Sequence, residues 1–210
     1  IGAGSIRLEG QELLGLPEAE RRRVRGRKIG MVFQEPSKYL NPSMRISEQI
    51  VEALVLHLGM SRPEALGRAQ ELLELVGLKG GRSILRKYQH ELSGGMKQRV
   101  MIAIAIACNP SLLIADEPTT ALDVTLQRQI LRLLLELQAR LGMAVLFVSH
   151  DLAVVHDISE RISVIYAGRI IESTGRDRLF ALPLHPYTQA LLQSIPEASK
   201  RGSRLLAIPG

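Results

Sequence analysis

Four polar residues each follow a short apolar segment of this chain: Gln34, the adjacent pair Asp116 and Glu117, and His150. In an open α/β sheet, reactive groups lie just beyond the carboxyl ends of the strands. We therefore expect these four side chains to share one site.

These side chains suit nucleotide hydrolysis. Asp116 can hold Mg²⁺, directly or through a water molecule, while Glu117 polarises the attacking water. A neutral His150 can contact the terminal phosphate, and Gln34 can reach both the metal and the water. Taken singly, each residue also has a structural explanation, as a helix cap, a turn residue or an ordinary histidine. Their order and joint placement favour a hydrolytic site.

Buried strands that alternate with helices must position these residues. Strand patterns occur at residues 28–33, 112–115 and 144–149, and a helical pattern at residues 123–141 separates the last two. Near-continuous apolar strands separated by helices are typical of a parallel sheet. The sequence therefore predicts an α/β fold with a parallel sheet.

Residues 46–88 differ from the rest because their apolar positions repeat with helical spacing. Ser61 marks a helix start, and Gly59 and Gly77 mark helix ends. An all-helical stretch is therefore predicted inside the mixed fold. Shorter elements are a strand at 5–8, a hairpin at 161–166 and 169–172, and helices at 177–181 and 187–193.

The charge of the chain indicates whether an anionic partner, such as nucleic acid, is expected. Lys and Arg outnumber Asp and Glu by 27 to 21, which gives a net charge of +6. The basic cluster consists of Arg21, Arg22, Arg23, Arg25, Arg27 and Lys28. Because charge runs are usually exposed and aromatic residues for base stacking are scarce here, we interpret it as a solvated helix end or loop. A nucleic-acid partner is the lesser alternative.

Cysteine content and apolar run length exclude other classes. Cys108 is the only cysteine, so the chain has no internal disulfide framework and no thiolate cluster for zinc or iron–sulfur binding. We expect Cys108 to be a small core residue. The longest strictly apolar run, residues 100–108, has nine residues, about half of a membrane-spanning helix. Any membrane association is therefore expected to be peripheral.

The most specific pattern is LSGGMKQ at residues 92–98. Ser93 can cap a helix, and Gly94 and Gly95 leave the first backbone N–H groups of that helix unobstructed as an anion site. Five fixed positions make a chance match on the order of 10⁻³ or less, so we treat the match as specific. This segment resembles the signature motif of ABC-transporter ATPases.

Further motifs follow in the order of that family. Gln34 is similar to the Q-loop glutamine, residues 112–116 to the Walker B strand, Glu117 to the catalytic glutamate, residues 121–123 with Asp123 to the D-loop, and His150 to the switch histidine. The resemblance implies catalysis by Glu117, His150 and Gln34, and Mg²⁺ held by Asp116 and Gln34. It also implies that a second subunit's ATP contacts the signature residues, which are Ser93, Gly94, Gly95 and Gln98.

The resemblance also implies an architecture and partners. The fold would be a P-loop NTPase (RecA-like) parallel sheet with an inserted all-helical ABC subdomain. Residues 1–210 would form a single partial ABC ATPase domain, with its core at 1–45 and 110–210 and the helical subdomain at 46–109. Two ATPase subunits, identical or different, would pair head to tail on membrane permease subunits, at the cytoplasmic face of the plasma membrane. A solute-binding protein would be an indirect partner, and nucleic acid is not expected.

Finer resemblance is to the oligopeptide, dipeptide and nickel importer branch. It lies in residues 34–36 with 40–42, in 114–123, and in the tail segments HPYT at 185–188 and SIPE at 194–197. The tail is the most branch-specific part. Residues 37–39 depart from the usual Met-Thr-Ser of the branch. The implied function is ATP hydrolysis that energises uptake of peptides or related solutes.

A phosphate loop of the form G-x-x-x-x-G-K-[ST] is expected several tens of residues before Gln34, yet residues 2–5 have neither its spacing nor its lysine. We therefore expect an N-terminally truncated excerpt of a longer protein, inactive by itself. Two alternatives stay open: a non-catalytic ABC fragment that binds a second ATPase or a permease, and a soluble ABC ATPase acting on nucleic acid.

Overall fold

The computed structural model describes residues 4–120 and 122–194. The chain forms two compact units, Ile1–Val148 and Ser149–Gly210. In chain order the first unit contains β1 (Arg7–Leu8), β2 (Gln11–Glu12), α1 (Glu18–Arg27), β3 (Ile29–Val32), α2 (Pro36–Tyr39), α3 (Ile46–Leu58), α4 (Arg62–Leu75), α5 (Gly81–Leu85), α6 (Gly94–Ala105), β4 (Leu112–Asp116), α7 (Val124–Leu141) and β5 (Ala144–Val148). The predicted division into a core and a helical subdomain stays a prediction.

A three-stranded parallel sheet, in the order β3-β4-β5, forms the centre of the first unit. The register pairs Val32 with Ala115 and Asp116 with Val148. The carboxyl ends of all three strands therefore lie at one edge of the sheet. This confirms the α/β fold with a parallel sheet. The strand predicted at residues 5–8 is shorter, and it pairs with β2 in an antiparallel hairpin that the sequence analysis missed.

A glycine in β3 lets α6 pack closely on the sheet. A side chain at Gly30 would place its Cβ 2.2 Å from the carbonyl oxygen of Ala105, at the end of α6. Side-chain carbons do not approach backbone oxygens so closely, so only glycine fits here. The contact fixes the C-terminal end of α6 against β3.

Residues 46–88 are helical, as predicted, and α3, α4 and α6 share an apolar core with the sheet. Ile46, Ile50 and Leu54 recur at four-residue intervals on α3 and are fully buried, so one face of α3 packs inward. Ser61 N donates to Glu64 Oε2 at 2.9 Å in a capping box that begins α4.

The second unit is built on a hairpin. Its elements are α8 (Leu152–Ile158), β6 (Arg161–Tyr166), β7 (Arg169–Gly175), α9 (Arg176–Ala181) and α10 (Pro186–Gln193). The hairpin turns through Ala167 and Gly168, both with positive φ, which suits the twist of the two strands. Val155, Ile162, Val164 and Leu179 form the small core of this unit. The predicted hairpin and both following helices are confirmed, whereas α1, α2 and α8 were not predicted.

The prediction that Cys108 is a core residue is confirmed: Cys108 is buried, and burial raises the pKa of its thiol. The basic cluster is exposed, as predicted, but its five arginines lie within α1 and not in a loop, and only Arg25 and Arg27 are in the last turn of that helix. No helix within the described ranges is long and apolar enough to cross a bilayer. Of the residues named from the sequence, 2, 3, 121 and 195–197 lie outside the described ranges.

Candidate active site

The end of β4 presents two adjacent carboxylates. Asp116 is the last residue of the strand and Glu117 follows it, and both side chains are half-buried. Glu117 has φ 45°, a left-handed conformation that is costly for a residue other than glycine. Its N–H donates to the carbonyl oxygen of Val148 at 2.9 Å, which extends the contact between β4 and β5 by one residue. The chain therefore turns sharply at Glu117 while remaining held to the sheet.

The carboxylate of Glu117 accepts hydrogen bonds from two directions. Gln34 Nε2 donates to its Oε2 at 2.9 Å, and Thr120 Oγ1 donates to the same oxygen, also at 2.9 Å. Gln34 lies two residues beyond the end of β3, the neighbouring strand. The structure thus brings together Gln34, Asp116 and Glu117, three of the four residues predicted at the strand ends.

Thr120 is a site residue that the sequence analysis did not single out. It lies three residues after Glu117, where the turn brings its hydroxyl back to the carboxylate. A hydroxyl three residues beyond a strand-end carboxylate is a local signal that can be read from sequence.

His150, the fourth strand-end residue, is exposed and belongs to the second unit, two residues after β5 ends. It is followed by Asp151, whose Oδ1 accepts from the N–H groups of Ala153 and Val154 and so begins α8. His150 therefore lies two residues before α8, a helix that was not predicted from the sequence.

The donor set at the sheet edge fits Mg²⁺. Asp116 offers carboxylate oxygens, and the amide of Gln34, whose nitrogen bonds to Glu117, leaves its oxygen for a cation. Within the ranges that the structure describes, no three or more His, Cys, Asp or Glu residues lie together as a metal cage. Mg²⁺ is ordinarily bound by one or two protein oxygens together with phosphates and water, so a carboxylate and an amide oxygen suffice.

The predicted anion site at the start of α6 has the expected cap. Ser93 is the N-cap residue, and its Oγ accepts from the N–H of Met96 at 3.3 Å. The first N–H groups of a helix have no partner within the helix, which leaves those of Gly94 and Gly95 for an anion. Ser93 and Gly94 are exposed.

The two glycines of the LSGGMKQ segment have different surroundings. A Cβ added to Gly94 would meet nothing within 4 Å, whereas one added to Gly95 would lie 3.3 Å from both methyl groups of Leu126. Gly94 is open to a ligand, while Gly95 lets α6 pack against the first turn of α7. Both glycines were predicted to leave the first N–H groups of the helix unobstructed, and Gly95 has a packing role in addition.

Asp123 helps to hold that packing. Its Oδ1 accepts from the N–H groups of Thr125 and Leu126 at 3.0 and 2.9 Å, so it caps α7. Leu126 is the residue that lies against Gly95. Leu126 therefore links the two motifs: its N–H donates to the predicted D-loop aspartate, and its side chain packs against Gly95 of the LSGGMKQ segment.

Gln98 is the predicted contact residue that lies away from the surface. It is only 1% exposed, because helical periodicity turns positions 95, 98 and 102 towards the core. Its Nε2 has no hydrogen-bond partner among the described residues. Gln98 therefore lies beneath the segment and does not share the exposed surface of Ser93 and Gly94.

A lysine links the LSGGMKQ segment to the chain that follows Gln34. Lys97 Nζ donates to Ser37 Oγ at 3.1 Å, from α6 to α2. Tyr39, also on α2, stacks on Phe33 with 3.7 Å between ring centroids. The unusual residues at 37–39 therefore make specific contacts that sequence analysis had left uninterpreted.

Comparison with known proteins identifies similar sequences and folds. Residues 2–120 match the family model for the ABC transporter, and residues 171–210 match that for the oligopeptide/dipeptide transporter, C-terminal region. The chain is 51% identical to a probable peptide ABC transporter ATP-binding protein of Sinorhizobium fredii, over 99% of this chain and 62% of that protein. It is 49% identical to the oligopeptide transport ATP-binding protein AppD of Bacillus subtilis, over 99% of this chain and 63% of that protein.

Solved structures give the same result. The ATP-binding cassette MJ0796, in a dimeric state bound to ADP and Pi, is 32% identical with a TM-score of 0.73, covering 83% of this chain and 74% of that one. The cbiO1 protein of Clostridium perfringens, part of the ABC transporter complex cbiONQ, is 28% identical with a TM-score of 0.74, covering 86% and 69%. The chain spans less than two thirds of the length of the sequence relatives named above.

Proposed function

The chain belongs to the ABC transporter family, and we propose that the protein containing it is the ATP-hydrolysing subunit of an importer of peptides or related solutes. The fold class and the sequence resemblance are those predicted. The hydrogen bond from Gln34 to Glu117, beside Asp116 at the end of the sheet, supports the hydrolytic role most directly. The relatives named for peptide transport support the substrate class.

Glu117 is proposed to polarise the attacking water. Its Oε2 accepts hydrogen bonds from Gln34 and Thr120, which orient the carboxylate at the sheet edge. Mg²⁺ bound to Asp116 and Gln34 would neutralise charge on the phosphates. His150 is proposed to contact the terminal phosphate as a neutral donor.

The segment at Ser93 is proposed to bind the ATP of a second ATPase subunit. Ser93 and Gly94 are exposed, and no atom lies within 4 Å of a Cβ placed at Gly94. The backbone N–H groups at this helix start are therefore accessible to the phosphate of an ATP bound to another subunit. Gly95, Gln98 and Asp123 are proposed to support this surface from below and from the side. The second subunit can be a copy of this protein or a related one.

A groove on the helical stretch is proposed to contact the permease. It has a volume of about 730 Å³, and its apolar lining includes Met44 before α3, Val51 and Val55 on α3 and Leu66 on α4. Its charged lining residues are Glu48, Glu52 and Arg62. A groove of this kind suits a short amphipathic helix of a membrane partner. The protein would then act at the cytoplasmic face of the plasma membrane, with a solute-binding protein as an indirect partner.

Uptake measurements test this function. A strain lacking the gene should take up a labelled tripeptide poorly, and the full-length gene product should restore uptake. Glu117→Gln should fail to restore it, whereas Glu136→Gln, which changes an exposed carboxylate on α7, should succeed. Unimpaired uptake in the deletion strain would contradict the proposed substrate class, and full restoration by Glu117→Gln would contradict the proposed role.

A further inference from the structure

The basic cluster forms an exposed face of α1. Its five arginines, Arg21, Arg22, Arg23, Arg25 and Arg27, are exposed, and Lys28 is half-buried. Val24 is the only buried residue of α1, so the helix turns most of its surface outward. The backbone of α1 is regular from Glu18 to Val24, a length of about 10 Å, and kinks at Arg25 and Gly26, so the arginines are spread along the segment.

Part of this charge is balanced within the cluster and part is not. Glu18 pairs with both Arg21 and Arg25, and Lys28 pairs with Glu9 at 2.6 Å. The remaining arginines, Arg22, Arg23 and Arg27, form no ion pair with any carboxylate in the part of the chain that the structure describes. Glu20, the other carboxylate of α1, is exposed as well. The face therefore keeps a net positive charge.

Packing fixes α1 against the end of α3. Gly26 has φ 89°, and a Cβ added there would lie 2.4 Å from Nε2 of His57 on α3. Next to His57 on α3 are three exposed apolar side chains: Val55 at 38%, Leu56 at 64% and Leu58 at 39%. Arginines and exposed apolar side chains therefore occur on two elements that touch each other.

This combination distinguishes between anionic partners. Single-stranded nucleic acid is bound through aromatic side chains that stack on its bases, and residues 17–28 contain no aromatic residue. A single phosphate needs converging donors, whereas these arginines are distributed along a helix. A lipid surface presents many anionic headgroups together with apolar chains, and it attracts basic clusters that lie next to apolar residues.

We propose that the basic face of α1, with the end of α3, binds anionic lipid headgroups beside the permease. This inference rests on the proposed function, because it places the chain at a membrane surface. The face supplies a second, electrostatic attachment next to the groove between α3 and α4, whose lining includes Val55 and Leu56. Its strength falls as ionic strength rises.

Vesicle co-sedimentation of the full-length gene product tests the proposal. The protein should bind vesicles of phosphatidylcholine with phosphatidylglycerol, and should not bind vesicles of phosphatidylcholine alone. The triple variant Arg22→Gln, Arg23→Gln, Arg27→Gln should bind about a hundredfold more weakly. A control triple variant, Arg128→Gln, Arg140→Gln, Arg161→Gln, removes the same charge from exposed positions elsewhere and should bind normally. Equal weakening of both variants, or binding to neutral vesicles, would overturn the proposal.

A gain-of-binding variant gives an independent check. Glu18→Gln releases Arg21 and Arg25 from their shared carboxylate, so it should strengthen vesicle binding about tenfold. Unchanged binding would overturn the proposal, as would binding of the wild type to duplex DNA but not to vesicles. ATP turnover in solution should be unaffected in all these variants. Failure of the wild type to bind anionic vesicles, with its ATP turnover intact, would therefore refute this inference alone, and absent wild-type turnover would refute the proposed function.

Discussion

Gln34 Nε2 donates a hydrogen bond to Glu117 Oε2 across 2.9 Å, although the two residues are 83 positions apart in the chain. The bond joins the ends of two neighbouring parallel strands, β3 and β4, at the edge where the proposed site lies. Thr120 bonds to the same oxygen, so the orientation of Glu117 depends on residues before and after it. A substitution at Gln34 or at Thr120 can therefore change the orientation of the Glu117 carboxylate.

Replacing the amide with a carboxylate should disrupt this pair. In Gln34→Glu two carboxylates would face each other where a hydrogen bond now forms, and like charges disfavour that arrangement. We expect ATP turnover of the full-length gene product to fall about a hundredfold. Gln11→Glu introduces the same charge at an exposed position on β2 and should keep turnover near that of the wild type. Equal losses in the two variants would mean that added charge, and not the pair, is responsible.

The two glycines at positions 94 and 95 should respond differently to alanine. Gly95→Ala places a methyl group 3.3 Å from the methyl groups of Leu126 and should lower the free energy of unfolding by about 1 kcal/mol. Gly94→Ala meets nothing within 4 Å and should not lower it. Urea unfolding of both variants measures the difference.

A double variant separates crowding from other causes. Leu126→Ala removes the methyl groups that Gly95→Ala would crowd, so the alanine at position 95 should cost less in that background. If Gly95→Ala destabilises the protein equally in both backgrounds, the contact with Leu126 is not the cause.

Gly30 provides the strongest steric prediction. The methyl group of Gly30→Ala would lie 2.2 Å from the carbonyl oxygen of Ala105, and a backbone oxygen cannot move aside as a flexible side chain can. We expect a loss of about 3 kcal/mol or more in unfolding free energy, measured by urea unfolding. Gly67→Ala, on the exposed side of α4 with nothing within 4 Å, should instead stabilise the protein by about 0.5–1 kcal/mol. Similar effects of the two substitutions would contradict this packing.

Sequence patterns predicted the elements that are apolar and regular. The strands at β3, β4 and β5 and the helix capped by Asp123 follow from periodicity and capping residues alone. The helices α1, α2 and α8 were not predicted. Only a few residues form α2 and α8, and α1 buries one apolar residue, Val24, so none of the three has a clear periodic signal. At the site, Gln34 and Glu117 each follow a predicted parallel strand, and this position indicated that their side chains lie close together.

Long-range packing could not be read from the sequence. The burial of Gln98 depends on which face of α6 meets the core, and the role of Gly95 depends on Leu126 of another helix. Neither follows from local spacing. The bond between Lys97 and Ser37 likewise joins residues 60 positions apart that no local pattern connects.

Glu172 should make the second unit sensitive to acid. Its buried carboxylate accepts from the N–H groups of Leu184 and His185, at 2.9 and 3.1 Å, and the bond from Leu184 is the main reason that its pKa lies below the ordinary value of 4.5. Because the folded state has the lower pKa, the carboxylate stabilises the fold at neutral pH, and this contribution is lost as the pH falls below 4.5.

Glu172→Gln should therefore lower unfolding free energy by about 1–3 kcal/mol at neutral pH, since it leaves buried polar groups poorly paired. Urea unfolding at neutral pH and at about pH 4 should show that the difference from the wild type shrinks in acid. Glu160→Gln, at an exposed carboxylate, should show little difference at either pH. A difference for Glu172→Gln that grows in acid would contradict the sign of the pKa shift.

The most direct test of the account is ATP turnover by the full-length gene product carrying Glu117→Gln. The amide keeps the shape of the side chain but cannot polarise water as a carboxylate does. We predict that turnover falls about a hundredfold or more, while ATP binding, measured by equilibrium titration with a fluorescent analogue, stays at the wild-type level. Wild-type turnover in Glu117→Gln would contradict the hydrolytic role proposed for this residue.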